Sequence, residues 1–163
     1  MILVFLVAFF CSTREISAEE QTYKIGTDVT FAPFEFKDEN NEYVGIDIDL
    51  LNAIAEDQGF KIELKALGFD PAIQGVQSNQ LDGMIAGMSI TDERKKSFDF
   101  SDPYFDSGIQ MAVKSDTDDI LDYADLKNKT VGAKVGTESA TFLEAHKEKY
   151  SYTIKTYDDA TGL

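Results

Sequence analysis

GIDIDLLNAIAEDQGFKIELKA, residues 45–66, changes its hydrophobic period halfway along, and that change decides the fold class. Up to Gln58 the apolar residues Ile46, Leu50, Leu51, Ile54 and Ala55 recur at the spacing of one helical face. Asp47 is a candidate N-cap. Gly59 is a candidate stop, because glycine takes the left-handed conformation at a helix end without steric cost. From Lys61 onward Ile62, Leu64 and Ala66 alternate with Lys61, Glu63 and Lys65, the period-two pattern of a strand. The stretch predicts a helix followed at once by a strand.

Working outward, YKIGT (23–27) reads as a strand before that helix. DPAIQGVQSNQ (70–80) reads as a second helix, with Asp70 as N-cap and Pro71 at the first helical position, where a missing N–H costs nothing. DGMIAGM (82–88) follows as a buried, glycine-broken strand. Strand, helix, strand, helix, strand is the rhythm of a parallel sheet with helical crossovers, so the fold class is α/β. Ligands of such sheets settle beyond the carboxyl ends of the strands. GIQMAV (108–113) reads as a long strand leaving this unit and KSDTDD (114–119) as a polar break. A strand over 131–135, a Gly-Thr turn, a helix from about Thr137 and the strand YTIKTY (152–157) repeat the motif. Two strands and one helix are marginal as a core of their own, so the chain is expected to stop inside its second lobe. The expected organisation is a signal peptide over 1–18, lobe 1 over 19–112, a hinge or crossover over 113–118 and a partial lobe 2 over 119–163.

The 163 residues carry 15 Lys+Arg against 30 Asp+Glu, a formal charge of −15, and 43% are hydrophobic. That is enough apolar material for a core of one domain with part of a second. The acidity disfavours nucleic acid and anionic membrane as partners, since both would be repelled. MILVFLVAFFCSTREISAEE (1–20) is apolar from Ile2 to Cys11, too short to span a bilayer, and offers small residues at Ser17 and Ala18 for cleavage. It reads as a secretory signal, which implies a secreted or cell-surface protein. Cys11, preceded by the bulky Phe10, is a poor lipid-attachment site. As the sole cysteine it leaves the mature chain neither a disulfide framework nor a catalytic thiol.

GMSITDERKKSFDFSDPYF (87–105) places a basic island, Arg94, Lys95 and Lys96, directly after the third strand. A guanidinium beside the hydroxyls of Ser89 and Thr91 and free backbone N–H groups is a carboxylate receptor, with charge-assisted bonds of about 1.5–3 kcal/mol each. The competing reading is a solvated turn that balances acidic neighbours. In TDVTFAPFEF (27–36), Phe34 and Phe36 are expected in the core, whereas Phe31 and Phe69, each at a strand end, are placed to wall an apolar slot. Asp28 is placed either to accept from a ligand amide or ammonium or to cap a turn. Catalysis is not expected: there is one histidine, His146, on an expected exposed helix face, no G-x-S-x-G and no metal-spaced cluster. Neither a cofactor nor a metal is expected.

GTDVTFAPFEF, GIDIDLLNAIAEDQG, LDGMIAGMSITDERKKSFDFSDPYF and VGAKVGTESATF, in this order and spacing, resemble the bacterial extracellular solute-binding proteins (family 3) of polar amino acid ABC importers, most closely the glutamine-binding members. The resemblance implies a periplasmic-binding-protein-like type II fold of two hinged α/β lobes that enclose an amino acid, here with lobe 1 largely complete and lobe 2 truncated. By resemblance Arg94 clamps the ligand α-carboxylate, helped by the Ser89 hydroxyl and the backbone N–H of Glu138. The Gly87 carbonyl accepts from the α-ammonium, Phe31 and Phe69 sandwich the side chain, and Asp28 and Lys134 meet its far end. Thr137 completes the implied set. An acceptor beside a donor suits a carboxamide, which favours glutamine. Glu138 stands where glutamine-binding relatives often have glycine, and the family's acidic partner for the α-ammonium falls beyond Leu163. The implied partners are a free amino acid and an ABC permease. The alternatives are a sensing domain of a larger membrane protein, such as a receptor–permease fusion or a sensor kinase, and a dehydratase-type enzyme on the same fold.

Overall fold

A computed structural model describes residues 20–163, so the expected signal segment and Cys11 lie outside the described residues. The first unit is built on β1 (Thr22–Thr27), the middle strand of a three-stranded parallel sheet. A short antiparallel ribbon follows, β2 (Phe36–Lys37) and β3 (Tyr43–Val44). The Asp38 carboxylate ties its turn by accepting the N–H groups of Asn40 and Glu42, both at 2.9 Å. Helix α1 (Ile46–Gln58) and strand β4 (Lys61–Ala66) then appear where the change of period predicts them, with β4 in register against β1 from Thr22↔Lys61 to Thr27↔Ala66. Helix α2 (Phe69–Gln77) crosses to β5 (Gly83–Met84) on the other side of β1, which gives the order β4-β1-β5.

Both expected N-caps shift. Gly45 (φ 128°) precedes α1 and Gly68 (φ 97°) precedes α2, and neither helix has a side-chain cap. Asp47 is instead inside the first turn of α1, fully buried, and its Oδ2 accepts the Gly87 N–H at 2.8 Å. Pro71 sits at the third helical position rather than the first, still among the N–H groups that a helix start leaves unpaired. Gly59 ends α1 as expected, left-handed at φ 70° with its N–H on the Ala55 carbonyl. The third strand is shorter than predicted, because after the Ile85 N–H bonds Gly26 the chain turns away at Gly87 (φ 54°).

Leu81, itself buried, inserts between β1 and α2 against two glycines. A Cβ on Gly75 would lie 2.6 Å from Leu81 Cδ1 and 2.9 Å from its Cγ, and one on Gly26 would lie 2.7 Å from the same Cδ1, so Leu81 has no side to retreat to. Gly75→Ala therefore gains helix propensity of about 1 kcal/mol but overpacks by about 1–3 kcal/mol. The expected outcome is a urea midpoint lowered by a net loss of about 1 kcal/mol. A midpoint at or above that of the parent would show that the gap tolerates a methyl group.

Residues 108–113 form no strand, which corrects the expectation for GIQMAV. A β-propensive run becomes a strand only where a neighbour takes its N–H and C=O groups, and among the described residues this one has none. Met111 instead packs on the core of the second unit, Leu126, Ala133, Leu143 and Tyr152. That unit holds β6 (Thr130–Lys134), α3 (Glu138–Tyr150) and β7 (Thr153–Tyr157), with β6 and β7 parallel. Thr137 caps α3, its Oγ1 accepting the Ala140 N–H at 3.3 Å. His146 is half-buried rather than on an exposed face. Its ring stacks 4.2 Å from Phe142, one helical turn away, with Nδ1 2.8 Å from the Phe142 carbonyl oxygen. Among the described residues no helix is long and apolar enough to cross a membrane.

Candidate functional site

Parallel pairing sends the carboxyl ends of β1, β4 and β5 to one edge, so the loops behind them converge there. Asp28 follows β1, Phe69 opens α2 just after β4, and Gly87 and Arg94 follow β5. The carboxyl end of β6 in the second unit meets this edge. Lys134, the last residue of β6, forms a buried ion pair with Asp28, the two residues being 7% and 2% exposed. Arg94 Nη1 donates to the Ser89 carbonyl at 2.9 Å, and Nη2 donates across to the Gly136 carbonyl at 2.9 Å. Glu138 Oε1 lies 3.3 Å from the same Nη2. A further tie runs from the Ala160 N–H to Thr30 Oγ1 at 3.2 Å. The approach is close enough that a Cβ on Gly136 (φ 75°) would lie 2.9 Å from Asp70 Oδ1.

The buried Phe69 ring floors the junction, 5.8 Å from Arg94 Cζ and 6.0 Å from Lys134 Nζ, within cation–π range of both. The Arg94 side chain is only 12% exposed. Burial pushes its guanidinium below the usual arginine range and Glu138 opposes the shift, but arginine remains cationic throughout. The guanidinium is bonded to two neutral carbonyls and flanked by one carboxylate. A carboxylate that replaced those carbonyls in the plane of the fork would make charge-assisted bonds, opposed by the charge of Glu138.

The structure thus brings together Asp28, Phe69, Ser89, Arg94, Lys134 and Glu138. Ser89 meets Arg94 through its carbonyl. The Thr137 hydroxyl is engaged in the turn itself, donating to the Lys134 carbonyl at 2.7 Å. Phe31 is 40% exposed, stacked 5.2 Å from Phe34, and its ring lies against Gly87, where an added Cβ would meet Cε1 at 2.8 Å. Phe34 and Phe36 are half-buried, not core, because Phe34 belongs to an aromatic row, edge-on to the exposed Phe105 at 4.9 Å. Sequence reasoning missed the Gly136 carbonyl and the buried acids Glu35 and Asp47 behind Gly87. Asp47 carried a readable signal: it lies on the helical stripe of Leu51 and Ala55, which is the buried one.

Residues 23–160 match the family model of bacterial extracellular solute-binding proteins, family 3. The chain is 33% identical over 154 residues to the probable amino-acid-binding protein YxeM of Bacillus subtilis (strain 168), covering 93% of this chain and 58% of that protein. It is similar to the solved structure of an ancestral arginine-binding protein bound to arginine, 44% identical with a TM-score of 0.83 over 88% of this chain and 63% of that one. The ancestral protein bound to glutamine gives a TM-score of 0.82 at the same identity and coverage. Substrate binding domain 2 of Lactococcus lactis GlnP in its open conformation is 49% identical, with a TM-score of 0.55 over 88% of this chain and 62% of that one. The chain spans 58% to 63% of the length of these relatives. It belongs to the bacterial extracellular solute-binding proteins of family 3 and has their type II periplasmic-binding-protein fold.

Proposed function

We propose that the protein carrying this chain is an extracytoplasmic receptor that captures a polar amino acid, glutamine by preference, between its two units and presents it to an ABC permease. The observation that carries the reading is Arg94, a half-buried cation where the two units meet, held by a carbonyl from each unit. The ligand α-carboxylate replaces neutral carbonyls with a charged, planar pair of acceptors. The Ser89 hydroxyl and the N–H of Glu138 at the start of α3 add donors where the helix end favours negative charge. The Gly87 carbonyl accepts from the α-ammonium, Phe31 and Phe69 flank the aliphatic stem, and a carboxamide meets the acceptor Asp28 and the donor Lys134 together.

Capture follows from closure. Arg94 and Asp28 come from one unit and Lys134, Gly136 and Glu138 from the other, so the ligand contacts coexist only when the units meet. The similarities support this. The GlnP domain in its open conformation is more identical in sequence yet less similar in shape than the ligand-bound ancestral protein, as a difference in the placement of the units would produce. The relatives named above are binding proteins by description, which favours capture without bond change over the dehydratase reading. Calorimetric titration with glutamine, glutamate, arginine and histidine tests the proposal. Glutamine should bind most tightly, and arginine at least about tenfold more weakly because its cation satisfies Asp28 but faces Lys134, where a carboxamide satisfies both, a difference of about 1.4 kcal/mol. No heat with any of the four would overturn it.

A second reading makes the chain one receptor domain of a larger membrane protein, supported by the likeness to a numbered substrate binding domain of GlnP. The open reading frame past Leu163 decides between them: apolar stretches of about 20 residues mean a fusion.

A further inference from the structure

Behind the candidate ligand site two buried acids come together, because the Asp47 N–H bonds the Phe34 carbonyl at 3.0 Å and so sets Asp47 beside Glu35. Glu35, between the loop after β1 and the ribbon, and Asp47, in the first turn of α1, are both fully buried. With both groups ionised, Glu35 Oε1, Glu35 Oε2 and Asp47 Oδ1 have no hydrogen-bond donor, and the fourth oxygen, Asp47 Oδ2, accepts the Gly87 N–H. Two ionised carboxylates cannot satisfy each other, since both are acceptors only, and their like charges repel without water to screen them. One proton between them turns a repelling pair into a donor and an acceptor.

We infer that Glu35 and Asp47 share one proton at neutral pH and that the pair is a positioning device for Gly87, the residue assigned above to the ligand α-ammonium; the inference rests on that reading of the site. Protonated Glu35 donates to Asp47 Oδ1, which anchors that carboxyl group so that Oδ2 holds the Gly87 N–H at 2.8 Å. Gly87 is left-handed at φ 54° with the Phe31 ring against its α-carbon, so the Asp47 bond fixes the Ala86–Gly87 peptide, from which the Gly87 carbonyl follows across that one left-handed residue. The hydroxyl of Tyr104 shares the same N–H at 3.2 Å.

The surroundings agree. From the loop after β1 Asp28 adds negative charge, from α1 Asp47 adds more, and from β6 Lys134 opposes both. Burial, the charge of Asp47, its hydrogen bond and Asp28 together push the Glu35 carboxyl up to about 9, with Lys134 pulling the other way. Burial first and then Asp47 hold the Tyr104 phenol above its usual range, so it stays neutral. Because Glu35 is raised in the folded protein above its ordinary 4.5, the folded state binds the extra proton. The stability that Glu35 contributes is complete below about pH 4.5 and falls as pH rises to about 9.

The test is an NMR titration of this protein with labelled glutamate side-chain carboxyl carbons and backbone amides, without added ligand. One glutamate, missing in Glu35→Gln, should titrate near pH 9, and the Gly87 amide should move with the same midpoint. In Glu35→Gln, whose amide donates to Asp47 at every pH, the Gly87 amide should stay still over that range. A Glu35 midpoint below 6, or a Gly87 amide indifferent to it, would overturn the inference. If the variant does not fold, the shared midpoint in the parent carries the test. Glutamine affinity adds a second arm: the ratio of Glu35→Gln to parent should rise about tenfold from pH 7 to pH 10, and the titration of the ligand's own amine cancels in that ratio. An unchanged ratio overturns the positioning role. Lack of glutamine binding at pH 7 refutes the ligand assignment instead, and the Gly87 amide still reports on the pair.

Discussion

Arg94→Ala is expected to lower amino-acid affinity by at least about 100-fold, with the near-UV circular dichroism of the fold retained. Two charge-assisted bonds to the ligand carboxylate are worth about 1.5–3 kcal/mol each, so losing both costs about 3–6 kcal/mol, a factor of roughly 10² to 10⁴. The fold should survive because the Arg94 side chain bonds two loop carbonyls and flanks Glu138, and it is not among the buried residues that form the cores. Arg94→Lys should rescue little, since an ammonium cannot present the planar fork that matches a carboxylate. Calorimetry decides: affinity retained within tenfold in Arg94→Ala would remove the guanidinium from the carboxylate site.

Asp28→Asn should change which ligand is preferred more than how tightly ligands bind. Glutamate would bring a second carboxylate against the buried Asp28, a like-charge contact in a site with little water to screen it. Asparagine removes that charge and leaves Lys134 free to pair with the ligand carboxylate. The glutamine-to-glutamate affinity ratio should therefore fall by about 10- to 100-fold, or about 1.4–2.8 kcal/mol. The substitution also breaks the ion pair between the units, which weakens closure for every ligand, but a ratio cancels that common loss. An unchanged ratio would place the side-chain end of the ligand elsewhere.

The parts legible in the sequence were those whose physics is local. The passage from α1 to β4 showed because a 3.6-residue period gives way to a two-residue one over 45–66, and Gly59 marks the boundary. Thr137 was recognisable as the start of α3 because a capping hydroxyl acts within three residues. Asp47 and Asp70 were misread as caps because residue type alone does not tell a cap from a first-turn acid, and the caps are glycines at positive φ. GIQMAV failed as a strand because pairing is decided by a neighbour, not by its own propensity. Arg94 stood out as a cation at a strand end, but its Gly136 contact joins residues 42 positions apart. The Asp47–Gly87 bond spans 40 positions, and no period encodes a contact of that kind.

The central claim is that the Arg94 guanidinium recognises a free α-carboxylate between the two units. The most direct measurement is calorimetry with glutamine against its α-amide, in which a neutral carboxamide replaces the α-carboxylate, at a mildly acidic pH where the α-amine of both is protonated. The account predicts that glutamine binds and that the α-amide binds at least about 100-fold more weakly, a loss of about 2.7 kcal/mol or more. Equal affinity for the two would contradict it.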